Sequence, residues 1–113
     1  MRHSELVGIK GTDLQITKLS LGSAPLGGLF RTVTDEESDE LIRFTLDSNI
    51  RYIDSAPLYG YGMSETRIGR ITKKSSKPFV LSTKVGRLLK PGNNQELDKW
   101  PGTDPNLEIY FDY

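Results

Sequence analysis

The chain is predicted to be an α/β protein. Apolar runs of strand length alternate with stretches of helical periodicity, and polar side chains able to do chemistry follow the strands. The runs are Leu19–Leu21, Ile50–Asp54 and Phe79–Lys84, and the helical stretches lie between them, from Thr34 to Ser48 and after Ser64. Strand–helix–strand–helix–strand order implies parallel, right-handed units. A doubly wound sheet and a TIM barrel both begin this way, and both gather functional residues after strand ends. Periodicity alone does not choose between them.

Before the first run, Leu6 to Thr17 alternate loosely around Lys10-Gly-Thr-Asp13, which predicts an N-terminal β-hairpin with Gly11 supplying a positive φ at the turn. Leu19–Leu21 then ends in Gly22-Ser-Ala-Pro25, and Leu26-Gly-Gly-Leu-Phe-Arg31 reads as a loop. Thr34-Asp-Glu-Glu37 has the form of a capping box. Leu41, Ile42, Thr45 and Leu46 follow at helical spacing, and Asn49 suits the left-handed residue after a helix. In the second strand Tyr52 and Asp54 share a face. Ser64 reads as the cap of a second helix, with Met63 stapling to Ile68, and Ile68 and Ile71 forming its buried stripe. That helix ends before Pro78. After Lys90 a turn-rich insertion runs through Pro-Gly-Asn-Asn, Trp100-Pro-Gly and Asp104-Pro-Asn, and Leu107 to Tyr113 alternate like a strand that pairs back across it.

Composition narrows the partners. Fifteen basic and fifteen acidic residues cancel, so no basic field for nucleic acid or anionic lipid is visible. No cysteine is present, which excludes disulfides and thiolate metal sites and fits a reducing compartment. No apolar run approaches the ~20 residues of a membrane span, and Met-Arg-His-Ser-Glu lacks a signal-peptide core. A cytoplasmic protein of one domain, or part of one, is the expectation, and no metal is expected.

Three side chains carry the candidate chemistry. Asp54 ends one strand, Tyr59 follows five positions on, and Lys84 closes the next strand. Taken singly, Asp54 reads best as a turn acceptor and Tyr59 as a surface aromatic. A lysine after Val-Leu-Ser-Thr is harder to explain without a charged partner, and the neighbouring strand end offers one. Together they make a proton-transfer site: a nearby cation favours a phenolate, and a carboxylate holds that cation in place. Gly60-Tyr-Gly62 is no dinucleotide fingerprint, since the third glycine would fall at Glu65. Arg87, Lys90 and Trp100 read as solvated loop residues rather than substrate contacts, and His3 as a solvated tail residue.

Thr17-Lys-Leu-Ser-Leu-Gly-Ser-Ala-Pro-Leu-Gly-Gly-Leu-Phe30, Arg51-Tyr-Ile-Asp-Ser-Ala-Pro-Leu-Tyr-Gly-Tyr-Gly-Met-Ser-Glu65 and Val80-Leu-Ser-Thr-Lys-Val-Gly-Arg-Leu-Leu89 resemble the first three strand-to-loop segments of the aldo-keto reductase superfamily. Within it they look closest to the sugar and pyridoxal dehydrogenase branch, whose loop ending Tyr110-Phe-Asp-Tyr113 also resembles. The resemblance implies the N-terminal portion of a (β/α)8 barrel, about three of eight βα units over residues 1–113, cut before the fourth strand. It implies an oxidoreductase moving hydride between NADP or NAD and an aldehyde, ketone or sugar. Tyr59 would be the proton donor or base, Lys84 its activating cation and Asp54 the partner of Lys84. Gly22, Ser23 and Ala24, with Asp54, would line the cofactor site; without the resemblance those three read as a tight turn. Two family features fall outside the sequence: a histidine after the fourth strand, the single histidine here being His3, and the phosphate-binding residues of the barrel's last quarter. The chain by itself is therefore expected to be inactive. A non-catalytic binding or regulatory barrel subunit, and an inert truncated fragment, are the competing readings.

Overall fold

The chain begins with a tight antiparallel ribbon. The computed structural model, which describes residues 2–86, 88–91 and 109–112, pairs β1 (Leu6–Gly8) with β2 (Gln15–Thr17), Val7 opposite Ile16. Gly11 sits at the turn with φ 82°. The central sheet is parallel in the order β3 (Leu21–Gly22), β4 (Tyr52–Asp54), β5 (Val80–Ser82). Its register sets Gly22 beside Asp54 and Asp54 beside Ser82, so the three strands end level with one another. A helix connects each successive pair, α1 (Asp35–Asp47) and α2 (Met63–Thr72).

Every strand is shorter than its apolar run. Leu19 is exposed and its carbonyl accepts the Thr17 hydroxyl at 2.6 Å, so the chain bends there and β3 starts only at Leu21. Ile50 is spent on the end of α1, its N–H donating to the Thr45 carbonyl. β5 stops at Ser82, leaving Lys84 two residues beyond the strand instead of closing it. The segment read as a loop after Gly22 contains a 3-10 helix, Ala24–Gly27, with Pro25 in its first turn, where the missing N–H costs nothing.

The capping box of α1 is present in full: the Glu37 N–H donates to the Thr34 hydroxyl at 3.1 Å and the Thr34 N–H to the Glu37 carboxylate at 2.8 Å. Asn49 follows at φ 60°. The buried stripe of α1 is Ser38, Ile42, Thr45 and Leu46, with Leu41 turned outward at 40% exposure. In α2 the cap is Gly62, at φ 93°, and Met63 is the first helical residue, so the expected Ser64 cap and Met63–Ile68 staple do not form. Ser64 instead turns its hydroxyl inward.

Both helices pack over one face of the sheet, where Leu26, Ile42, Leu46, Ile53, Ile68 and Ile71 make the core, flanked by Leu21 and Phe79. Each such side chain contributes on the order of 2 kcal/mol when fully buried. Beside this core Arg67 clamps three segments. Its guanidinium donates to the Leu26 carbonyl (2.7 Å), the Val33 carbonyl (2.8 Å) and the Asp35 carboxylate (3.0 Å), while Arg70 pairs with Asp35 and Asp39. His3, although exposed, donates to the Ser48 carbonyl at the end of α1 (2.9 Å) rather than standing free in solvent.

A last ribbon follows the sheet: β6 (Leu88–Pro91) pairs antiparallel with β7 (Ile109–Asp112). The terminal alternating segment thus does pair back across the insertion. Lys90 belongs to β6; Arg87, Trp100 and the turn-rich stretch lie outside the described residues, as does Tyr113. Among the described residues no helix is long and apolar enough to cross a membrane.

Candidate active site

Three strands ending level place three connecting segments at one edge of the sheet, and Asp54, Tyr59 and Lys84 meet there. Asp54 is the last residue of β4. After it the Ser55 N–H donates to the Ser82 carbonyl (2.8 Å), carrying the sheet bonding one residue further before the chain turns away. Pro57 to Gly62 form consecutive turns, with the Tyr59 N–H on the Ala56 carbonyl, the Tyr61 N–H on Leu58 and the Gly62 N–H on Pro57. Gly60, Tyr61 and Gly62 all take positive φ, 64°, 55° and 93°. For the non-glycine Tyr61 that backbone costs roughly 1–2 kcal/mol, a strain held at the residue next but one to Tyr59.

Close backbone packing holds this turn down. Gly27, in the 3-10 helix, lies so near that a Cβ there would sit 2.3 Å from the Tyr59 carbonyl carbon, and one on Gly60 would sit 2.4 Å from the Gly27 carbonyl oxygen. Beneath the turn is a cluster of fully buried hydroxyls. Ser64 donates toward Ser23, its Oγ 2.8 Å from the Ser23 Oγ, and lies 3.1 Å from the Ser55 Oγ; Ser23 donates to the Asp54 carbonyl at 2.7 Å. The cluster binds the first turn of α2 to the ends of β3 and β4.

Lys84 completes the group. Its ammonium donates to Asp54 Oδ2 at 2.8 Å and to the Ser55 carbonyl at 2.9 Å, and lies 5.1 Å from the centre of the Tyr59 ring. The hydrogen bond that Lys84 donates to Asp54 raises the Lys84 pKa above its ordinary 10.5, with a smaller contribution from a hydrogen bond with Tyr59. Asp54 is held below its ordinary 3.8, first by Lys84 and then by the Ser82 hydroxyl. The carboxylate and ammonium therefore both keep their charges across neutral pH. Around them a cleft of about 270 Å³ is lined by Ala56, Pro57, Leu58, Tyr59, Lys84 and Val85. A phenol in such a cleft can give up or take a proton beside a fixed cation that stabilises the anion formed. Among the described residues no cluster of histidine and acidic side chains could hold a metal.

The sign of the pH effect follows from these shifts. Asp54, lowered, contributes stability that is present above 3.8 and lost as pH falls through its folded value; Lys84, raised, contributes below 10.5 and loses it as pH rises through its own. The difference in unfolding free energy between the wild type and Lys84→Met is thus expected to be full across neutral pH and to shrink in acid below 3.8. Urea titrations at a series of pH values check this, and an acid-independent difference would remove the ion pair as its source.

The remaining sequence candidates divide. Gly22 is exposed and a Cβ there would meet nothing within 4 Å; Ala24 is half-buried. Ser23 is buried with its hydroxyl, N–H and carbonyl all bonded inward. Gly22 and Ala24 thus stand at the end of β3 with the bonded Ser23 between them. Sequence reasoning missed Ser82, Ser55, Ser64 and Gly27. Ser82 alone had a signal, since a register that levels the strand ends sets it directly opposite Asp54.

The family model described as the aldo/keto reductase family matches residues 18–107. A pyridoxal 4-dehydrogenase of Microbacterium luteolum is 45% identical over 89 residues, 79% of this chain and 26% of that protein. A D-threo-aldose 1-dehydrogenase of a Pseudomonas species is 46% identical over 79 residues, 69% of this chain and 24% of that one. Among solved structures, the glycerol dehydrogenase of Gluconobacter oxydans superposes with a TM-score of 0.68 at 27% identity, covering 96% of this chain and 31% of that one. The chain spans about a quarter of the length of the curated relatives it matches. With the family model matching 90 of the 113 residues, from 18 to 107, the chain belongs to the aldo/keto reductase family.

Proposed function

We propose that this chain is the N-terminal portion, about three of eight βα units, of a (β/α)8 barrel oxidoreductase that interconverts a small carbonyl compound and its alcohol with NAD(P). One observation carries the reading: the Lys84 ammonium sits against Tyr59 while anchored by Asp54. Tyr59 gives its hydroxyl proton to the carbonyl oxygen in reduction and, as phenolate, takes the alcohol proton in oxidation. Lys84 stabilises the phenolate in either direction, and Asp54 keeps Lys84 charged and in place. NAD(P), when bound, supplies or accepts the hydride; the exposed Gly22 backbone and Ala24 would hold its ring, on the side of the cleft where Asp54 ends β4. Ala56, Pro57 and Leu58 give the cleft an apolar wall beside the Tyr59 ring. The names of the relatives favour aldoses and aromatic aldehydes as the substrate class.

The test is deuteride transfer. The intact protein is given 4-deuterated NADPH or NADH with a panel of aldoses, pyridoxal and simple aldehydes, and product is read by mass spectrometry. Deuterium on the former carbonyl carbon is the expected result; no turnover with either cofactor across the panel would overturn the proposal.

A further inference from the structure

We propose that Ser82 and Tyr52 are positioning residues of this site, forming a one-way hydrogen-bond chain that fixes the Asp54 carboxylate so that Oδ2 faces Lys84. The inference deepens the function proposed above by adding residues behind the three that meet in the cleft.

Its basis is a count of protons. The Ser82 hydroxyl contacts Asp54 Oδ1 at 2.5 Å, and an ionised carboxylate only accepts. Ser82 has one proton, so that contact uses it. The Tyr52 hydroxyl lies 3.1 Å from the same Ser82 oxygen, and with the serine proton committed the phenol must be the donor. The chain therefore runs from Tyr52 to Ser82 to Oδ1, while Lys84 donates to Oδ2 from the other side (2.8 Å). The sheet builds this arrangement. Asp54 and Ser82 are register partners, and Tyr52 lies two residues before Asp54 on the same face, opposite the core side chain Ile53.

The consequence concerns a soft torsion. The terminal torsion of an aspartate is broad and nearly two-fold, so a carboxylate bonded through one oxygen alone can swing. With each oxygen claimed from a different direction, it cannot swing without losing a bond. Lys84 is the one charged group acting on Asp54 among the described residues. Tyr52 reaches it through Ser82 from its own strand, and Tyr59 reaches it through Lys84 from the turn before α2.

A donor to the ionised form favours that form, so its removal raises the Asp54 pKa. Carboxyl-carbon NMR titration of Asp54 in the intact protein, without substrate or cofactor, is expected to show the midpoint moved up in Ser82→Ala and returned in Ser82→Thr. Tyr52→Phe should fall between. In turnover assays kcat should drop about tenfold in Ser82→Ala, less than the 10² that a ~1 Å misplacement costs, with KM for NADPH within about twofold. An unmoved Asp54 midpoint in a Ser82→Ala protein whose amide spectrum is otherwise native would overturn the proposal. So would a midpoint that moves in Ser82→Ala and stays moved in Ser82→Thr with native packing. Because the titration needs no turnover, a protein that fails the deuteride test still decides this question.

Discussion

Tyr59→Phe is expected to lower kcat by a factor of about 10²–10⁴ while leaving the affinity for NADPH nearly unchanged. The substitution keeps the ring, and so keeps the wall of the cleft and the face beside the Lys84 ammonium at 5.1 Å. It removes only the hydroxyl, the group proposed to exchange a proton with substrate oxygen. Proton transfer must then fall to water, which lacks a fixed position. Steady-state kinetics with fluorescence titration of NADPH separates the two quantities. Activity within a few-fold of wild type would show that another group handles the proton and that Tyr59 serves as a wall.

The second large effect is expected at a residue that has no side chain of its own. Gly60→Ala places a methyl group 2.4 Å from the Gly27 carbonyl oxygen and 2.7 Å from its Cα, both main-chain atoms that cannot rotate aside. Overpacking of this kind costs roughly 1–3 kcal/mol, and the left-handed backbone at Gly60 adds roughly 1 kcal/mol for any residue with a Cβ. A loss of about 2–4 kcal/mol in a denaturant titration is therefore expected. The turn must also lift from the 3-10 helix, taking the adjacent Tyr59 with it. A shift of ~1 Å at that hydroxyl is expected to lower kcat by about 10². Unchanged stability together with unchanged kcat would mean that the turn does not rest on Gly27.

These cases show what the residue order made legible. The Thr34–Glu37 box could be read because both of its bonds close within one helical turn, where no other part of the chain can intervene. The strand–helix alternation was legible for the same reason, as was the gathering of Asp54, Tyr59 and Lys84, since parallel strands deliver their trailing residues to a common edge. Ser64 was misread because a hydroxyl chooses among all the partners that folding brings near. A local amide lost to Ser23, forty-one residues away in sequence. The contact between Gly27 and Gly60 left no pattern either, because a glycine required for closeness looks the same as one required for a turn. Arg67 sits in an ordinary amphipathic helix, and nothing in its neighbourhood announces carbonyl partners at Leu26 and Val33.

That arginine separates two kinds of fragility. At the mouth, acid removes the anionic half of the Asp54–Lys84 pair, so the arrangement proposed to support proton transfer has a titratable weak point. Behind it, Arg67 has one titratable partner, Asp35, and two main-chain carbonyls that carry no proton to gain. Acid can thus take one of its three bonds and leave the other two holding α2 to the segment before α1. A drop in pH that discharges the mouth, and with it the carboxylate partners of Arg70, therefore spares the two bonds from Arg67 to the Leu26 and Val33 carbonyls, a tie between α2 and the segment before α1 that no proton can cut.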